Sequence, residues 1–568
     1  RSTRAGAVEG ARLSEGLTGE RMARQTLQSG PWKGVRSTND PYDDVAEPGF
    51  LADAQNCYVP DSAGLSGLYA RPAFRTVATP SITATTEQIV PYTMTTLGGT
   101  VYRFVMCDAK LYRTTTTAGE PVATLVDVTP VGVTIDGSAT ATARFYMVGF
   151  ADELIATDGV NRPWRGTNLS ATPITGTYID LDGAGGSWTV QGAPAVRAGV
   201  LHFICKTVPG GSSVEAGIGL VWSEPFQPDI GYVQTSYANF WNLVEQKADP
   251  LLAIYGTENY LFYFRENSIG ALSGFPNVNY STTASGDAVS PTVGCTAPAS
   301  ICQAGKDGDI YFVDRIGRPH RIVGTDVEEL WMQLRGQIVS NPTYLTYPTA
   351  TALTGIGAFI SQLNVVLLGG WSSGPTTSPP KGPSTLYAFN ATTGVYCGRW
   401  SVASTLASLG IAAMAEMKDT NNTPLLTIIG SPAGTAYKCY TLQPLGLALW
   451  DDGTTGGTLV VPTISAQTQR LGYSATKVYN ASDVGTIITQ STAPVTITVQ
   501  TPYTASTTEA TAISPLGSQD GTYVVDFGMD VMAARGIQVT VSPTTATSQW
   551  ILQHIEFPAT ASRAVGEQ

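Results

Sequence analysis

The chain is predicted to be all-β, with an irregular β-propeller-like domain followed by a C-terminal β-sandwich and preceded by a short N-terminal arm. Three observations predict this. A hairpin pattern recurs from about residue 101 to residue 439: an aromatic or β-branched strand, a tight polar turn, and a returning strand. The 60 Gly and 35 Pro punctuate these strands, where they supply the turns that short strands need. The longest apolar stretches, such as residues 364–369, are strand-sized, far below the roughly 18 apolar residues that a membrane-spanning helix needs. Two strands of this length cannot bury an apolar face alone, so their repetition implies several small sheets that share a core.

In chain order, residues 1–30 form the arm. Arg4, Arg12, Arg21 and Arg24 alternate there with Glu9, Glu15 and Glu20, while Leu13, Leu17, Met22 and Leu27 give an imperfect helical stripe. Gly16 and Gly19 weaken a free helix, and Gly30-Pro31 stops it. A segment that orders on docking to a partner is expected. Residues 31–84 read as an extended, turn-rich segment that joins the propeller. Residues 85–450 carry the hairpins.

The clearest hairpin runs Tyr146-Met147-Val148-Gly149-Phe150, turns at Ala151-Asp152-Glu153, and returns through Leu154-Ile155-Ala156-Thr157. Others are Leu261-Phe262-Tyr263-Phe264, Ile310-Tyr311-Phe312-Val313 and Leu386-Tyr387-Ala388-Phe389. Insertions at 206–214 and 372–384 make the spacing irregular, so a strict repeat period is absent. Asp451-Asp452-Gly453 opens a linker, and short Thr/Val/Ile strands over 458–568, with turns every 8–12 residues, suit a sandwich.

At 568 residues the chain is expected to hold two or three domains. Charged residues are only 13%, and the formal net charge is −12. That balance argues against gripping phosphate backbones through counterion release. The cysteines at 57, 107, 205, 295, 302, 397 and 439 lack CxxC spacing and read as buried thiols.

No catalytic, cofactor-binding or metal-binding residue is assigned, and no cofactor is expected. His202, His320 and His554 stand alone, and neither a GxSxG elbow nor a GxxxxGK[ST] loop occurs. Adjacent carboxylates at Asp43-Asp44, Asp152-Glu153, Glu328-Glu329 and Asp451-Asp452 point to opposite faces of a strand and read as solvated turns. The expectation is a protein that is not an enzyme.

One ordered set of segments resembles a known family. It comprises Trp32-Lys33-Gly34, Ala52-Asp53-Ala54-Gln55-Asn56 with Gly64, Arg71-Pro72-Ala73-Phe74, the turn from Thr157 through Asp158, Arg162 and Trp164 to Gly166, Val221-Trp222-Ser223-Glu224-Pro225, the run from Leu261 through Arg265 and Ser268 to Gly274, and Gly294-Cys295-Thr296-Ala297-Pro298 leading to Ile310. Together these resemble the β-propeller tail nozzle, or tail-hub, proteins of short-tailed bacteriophages, over roughly residues 31–330.

The resemblance implies a structural virion protein, assembled in the host cytoplasm, that forms a homo-oligomeric ring of six copies. The ring would sit below the portal or adaptor, contact other tail proteins such as fibres or spikes, and line the channel through which genomic DNA leaves without sequence-specific binding. No membrane span is expected, and no residue is assigned to DNA contact. The alternative is a receptor- or glycan-binding tail component, with Trp164, Trp188 or Trp371 stacking on sugars. A propeller glycoside hydrolase is the least favoured reading.

Overall fold

A computed structural model of the chain describes residues 24–29, 32, 34–35, 50–60, 67–76, 89–107, 109–136, 145–183, 188–207, 214–233, 239–242, 249–274, 287–305, 308–315, 317–330, 355–369, 385–401, 409–432 and 438–443, together with strands between residues 451 and 563. Apart from a short 3-10 turn at Pro298–Ser300, the regular elements among these residues are strands.

The hairpins assemble into a seven-bladed β-propeller. Six antiparallel blades open on Ile89–Thr95, Tyr146–Phe150, Val190–Arg197, Leu251–Gly256, Cys302–Gln303 and Ile356–Ile360. Each runs outward through consecutive strands. Blade seven has only three strands from its own stretch, Leu409–Lys418, Pro424–Pro432 and Lys438–Leu442. Its fourth strand is Phe74–Thr76, which precedes blade one in sequence and pairs with Lys438–Leu442 in the register Leu442↔Phe74. The ring is therefore closed by a strand borrowed from the other end of the propeller.

Strands buried on both faces lose their polar alternation and read as continuous apolar runs. In blade five, Ile310 and Phe312 pack with Phe262 and Phe264 of blade four, while Tyr311 and Val313 pack with Val366 and Phe389 of blade six. The two-residue period of a strand sends neighbours to opposite sides. Seven apolar clusters result, one per interface between successive blades. The seventh joins Met417, Ile429 and Cys439 of blade seven to Ile89, Val105 and Val122 of blade one.

The inner hairpins turn tightly. Ala151 and Asp152 have φ of 48° and 64°, and Ala198 and Gly199 have 51° and 71°, the left-handed pairs that match strand twist in two-residue turns. At Asp152 a carboxylate oxygen accepts the Leu97 N–H of blade one at 2.5 Å, so the strained turn also ties two blades together.

The sandwich is not built from the C-terminal residues alone. Its long strand Trp550–Arg563 is flanked on one side by Lys477–Ala481 and Val484–Ser491, and on the other by Arg24–Ser29 and Leu68–Ala70. Arg24–Ser29 is thus a strand, where the sequence pattern suggested a helix; pairing with a long strand at the far end of the chain overrides a weak local stripe. Residues 1–23 lie outside the described residues.

The second sheet joins Phe50–Gln55 to Ser465–Thr468, Gln538–Pro543 and Val495–Thr501. It is continuous with the outer strand of blade six through the pair Gln55↔Arg399. The expected joining segment, 31–84, therefore supplies strands to three sheets. The expected linker contains Asp451–Asp452, paired with Leu459–Val460. Among the described residues the path runs from the sandwich to the closing strand of the propeller, through the blades and back to the sandwich.

Removing residues 1–29 takes one flanking strand from the sandwich, whereas removing residues 1–76 also strips the fourth strand of blade seven. Scanning calorimetry is expected to find one cooperative transition at a modestly lower temperature for the first truncation, and no cooperative transition for the second. Equal behaviour of the two would contradict closure by Phe74–Thr76.

Candidate functional site

Two places stand out: a polar seam between sandwich and propeller, where segments that the sequence singled out meet, and the propeller axis. At the seam the Arg71 side chain is fully buried. Its Nε donates to Asn56 Oδ1 at 2.9 Å, Nη1 to the Pro72 carbonyl at 2.9 Å and Nη2 to the Ser401 carbonyl at 2.6 Å. The guanidinium lies over the Phe74 ring, 4.8 Å from its centroid.

Asn56 is also fully buried and left-handed, with φ of 56°, a conformation that Asn tolerates better than most residues. Its Oδ1 also accepts the Ser401 N–H at 2.9 Å, its own N–H reaches the Arg399 carbonyl at 2.7 Å, and its carbonyl accepts the Arg71 N–H at 2.9 Å. Trp400 Nε1 donates to the Cys57 carbonyl at 2.7 Å, and Arg399 pairs with Asp53 at 2.7 Å. Gly398 has φ of 137°, and a Cβ there would stand 2.7 Å from the Ala54 carbonyl oxygen. Glycine is what lets the sandwich strand approach blade six. The segments 52–56 and 71–74, both carriers of the resemblance, thus meet at one seam.

The other resembling segments are turns and blade interfaces. Asp158 Oδ1 accepts the Val160 and Asn161 N–H groups at 3.0 and 2.7 Å, and Oδ2 accepts the Asp136 N–H at 2.9 Å. Ser223 Oγ accepts the Leu201 N–H at 3.0 Å, Ser268 Oγ donates to Asp249 at 2.8 Å, and Ser300 Oγ accepts the Val313 N–H at 3.0 Å. Trp164 is fully buried against Phe145, which corrects its assignment as an exposed sugar platform. Trp188 packs half-buried beside the core between blades two and three, and Trp371 lies outside the described residues.

Of the adjacent carboxylates only Asp152 is a turn residue; Glu153 opens the strand Glu153–Thr157, and Glu328-Glu329 lie within the strand Asp326–Glu329, which corrects their reading as solvated turns. Glu153 pairs with Arg165 at 3.2 Å, and Glu328 pairs with Arg321 at 2.9 Å. Asp43-Asp44 and the side chains of Asp451-Asp452 lie outside the described residues. All seven cysteines are free thiols. Burial pushes Cys295, Cys302 and Cys439 up to about 12 and Cys397 up to about 11, far from a reactive thiolate. Burial likewise drives His202 down to about 3, so its ring is neutral near pH 7.

His320 Nε2 lies 3.0 Å from Asp314 Oδ2, which also accepts Arg318 Nε at 2.8 Å. Among the described residues no group of three His, Cys, Asp or Glu is placed to hold a metal ion, and no helix is long and apolar enough to cross a membrane.

The second place is a cavity of about 190 Å³: Val90, Tyr146, Ala193, Ile254, Ile356 and Met414 stand on the innermost strands of six blades, and Ala299 stands in the 3-10 turn that leads into blade five. Only the axis lies within reach of all seven. The wall carries no charged side chain.

No family model matches the chain, and no curated protein does. Among solved structures it is similar to U3-55K, at 9% identity and TM-score 0.38 over 65% of this chain and 99% of that one. It is also similar to the RRP9 WD40 repeats, at 9% and 0.38 over 66% of this chain and 100% of that one. A computationally designed protein, Ika8, gives 7% and 0.32 over 65% of this chain and 99% of that one. TM-scores this low carry no argument, and the propeller assignment rests on strand order and closure.

Arg71→Met is expected to lower stability by about 3 kcal/mol in urea unfolding, since it leaves buried acceptors unpaired. Asn56→Gly keeps the left-handed backbone and loses only the side-chain bonds, so Asn56→Ala should be worse than Asn56→Gly by about 1 kcal/mol. Equal stability of the two would contradict the backbone argument.

At Asp314 burial alone raises the carboxyl, but bonds from His320 and Arg318 outweigh it and hold the group below the usual carboxylate range. The stability it contributes is present above the unfolded value, about 4, and is lost as pH falls through the lower folded value. Asp314→Asn should therefore flatten the acid limb of stability against pH; an unchanged limb would contradict this.

Proposed function

We propose that this chain is a structural subunit of a bacteriophage tail, which forms with further copies a ring below the portal or adaptor through which DNA leaves the virion. The observation that carries the reading is the convergence of segments 52–56 and 71–74 on one seam. The residues of the resemblance include those that weld the sandwich to a closed propeller. A permanent conduit needs such a weld, because its subunits bear load and do not turn over a substrate.

Two further features support it. The axial cavity is small, about 190 Å³, and its wall carries no charged side chain, which favours a passage for DNA between copies rather than through one propeller. The net charge of −12 favours sliding over gripping, since few cations are available to replace counterions on phosphates. In a ring, head-to-tail contacts close by rotation.

Mass in solution with negative-stain imaging of the purified chain, alone and with portal and adaptor, tests the proposal. A six-fold ring, free or built on the portal assembly, is expected. A trimer that binds host polysaccharide would overturn it in favour of a receptor-binding component, and turnover of that polysaccharide would overturn it in favour of a hydrolase.

A further inference from the structure

We propose that the axial cavity is a binding site for one small ligand that couples an apolar ring to a hydrogen-bonding group, the chemistry of a phenol or an indole. The wall side chains are aliphatic, proline, alanine, methionine and aromatic, with no charged group and no histidine. Its two hydroxyl side chains are tyrosines: Tyr255 already bonds the Gln303 backbone, and Tyr146 has an interaction of its own. A sugar or an ion would lose its hydration there with little side-chain compensation.

A pure hydrocarbon is not the best fit either. The innermost strand of every blade ends its sheet, so it has no strand partner on the axial side. An edge strand presents N–H and C=O groups beyond its sheet; neighbouring blades meet some of them, as where the Gly192 carbonyl accepts from the Thr157 hydroxyl and the Leu251 carbonyl from Gln191, and a bound polar group can meet others. A ring that bears one donor or acceptor can bond such an edge while its face covers the apolar side chains of the wall. The cavity, at about 190 Å³, exceeds the roughly 150 Å³ at which an apolar protein cavity admits a benzene molecule.

Small residues keep the space open. Ala413 of blade seven and Ala193 of blade three line the cavity, and neither belongs to the apolar clusters between blades, so enlarging them fills the axis without cutting an interface. The site is separate from the ring contacts of the proposed function, and its test does not depend on them.

The experiment titrates the full chain with phenol and with indole by calorimetry or saturation-transfer NMR, using benzene and glucose as comparisons. Saturable binding of phenol or indole is expected, tighter than benzene, with no binding of glucose. Affinity should fall about tenfold or more in Ala413→Leu and Ala193→Leu and remain unchanged in Leu97→Ala, which alters an exposed turn. A crystal soaked in 4-bromophenol locates the probe through bromine without any variant. Bromine on the axis supports the proposal. Bromine elsewhere only, glucose bound as well as phenol, or affinities untouched by folded filling variants would overturn it.

Discussion

The rest of the structure depends on a buried arginine. Arg71 leaves water and recovers its lost hydration through carbonyl and amide oxygens of Asn56, Pro72 and Ser401 and the face of Phe74. A buried cation is tolerable only when its donors are matched. Here the matching groups come from the sandwich, from the outer strand of blade six and from the closing strand of blade seven. The three units are thereby set in one relative position, and the bond to Ser401 spans 330 residues of chain.

Around that knot the architecture is a closed circuit. The N-terminal strands flank the long C-terminal strand, then cross to the propeller and complete its last blade. Neither the sandwich nor the propeller is finished until residues from both ends of the chain are in place. The largest apolar cluster follows the same route, joining Trp32, Leu51, Leu68 and Trp550 of the sandwich to Tyr311, Val366 and Phe389 of blades five and six. Such a design suits a component whose task is to stay assembled, and it gives a physical reason for the ordered motifs before residue 75.

What the sequence discloses follows from which contacts are local. The runs 261–264 and 310–313 are legible as strands buried on both faces because apolar side chains occur at consecutive positions. The turns at 151–153 and 157–166 are legible because Asp, Asn and Gly accept left-handed or capped backbone. Phe74–Thr76 as a fourth blade strand is not legible, since pairing with Lys438–Leu442 leaves no local signal. Arg24–Ser29 fails for the same reason. The alternative that put Trp164 on the surface fails because its turn is polar while its own side chain lies in the core between blades one and two. The axial cavity has no sequence signature, because its wall collects one or a few residues from each of six distant strands and from the turn before blade five. Blade number was hidden by the unequal insertions.

Hydrogen exchange followed by mass spectrometry on the intact chain and on Arg71→Met tests the central claim most directly. If Arg71 couples the units, amides of the closing strand Phe74–Thr76, of its partner Lys438–Leu442 and of the sandwich strand Trp550–Arg563 should lose protection together in the variant, and to similar extents. Loss confined to the immediate neighbours of residue 71, with Trp550–Arg563 as protected as in the unsubstituted chain, would contradict the account.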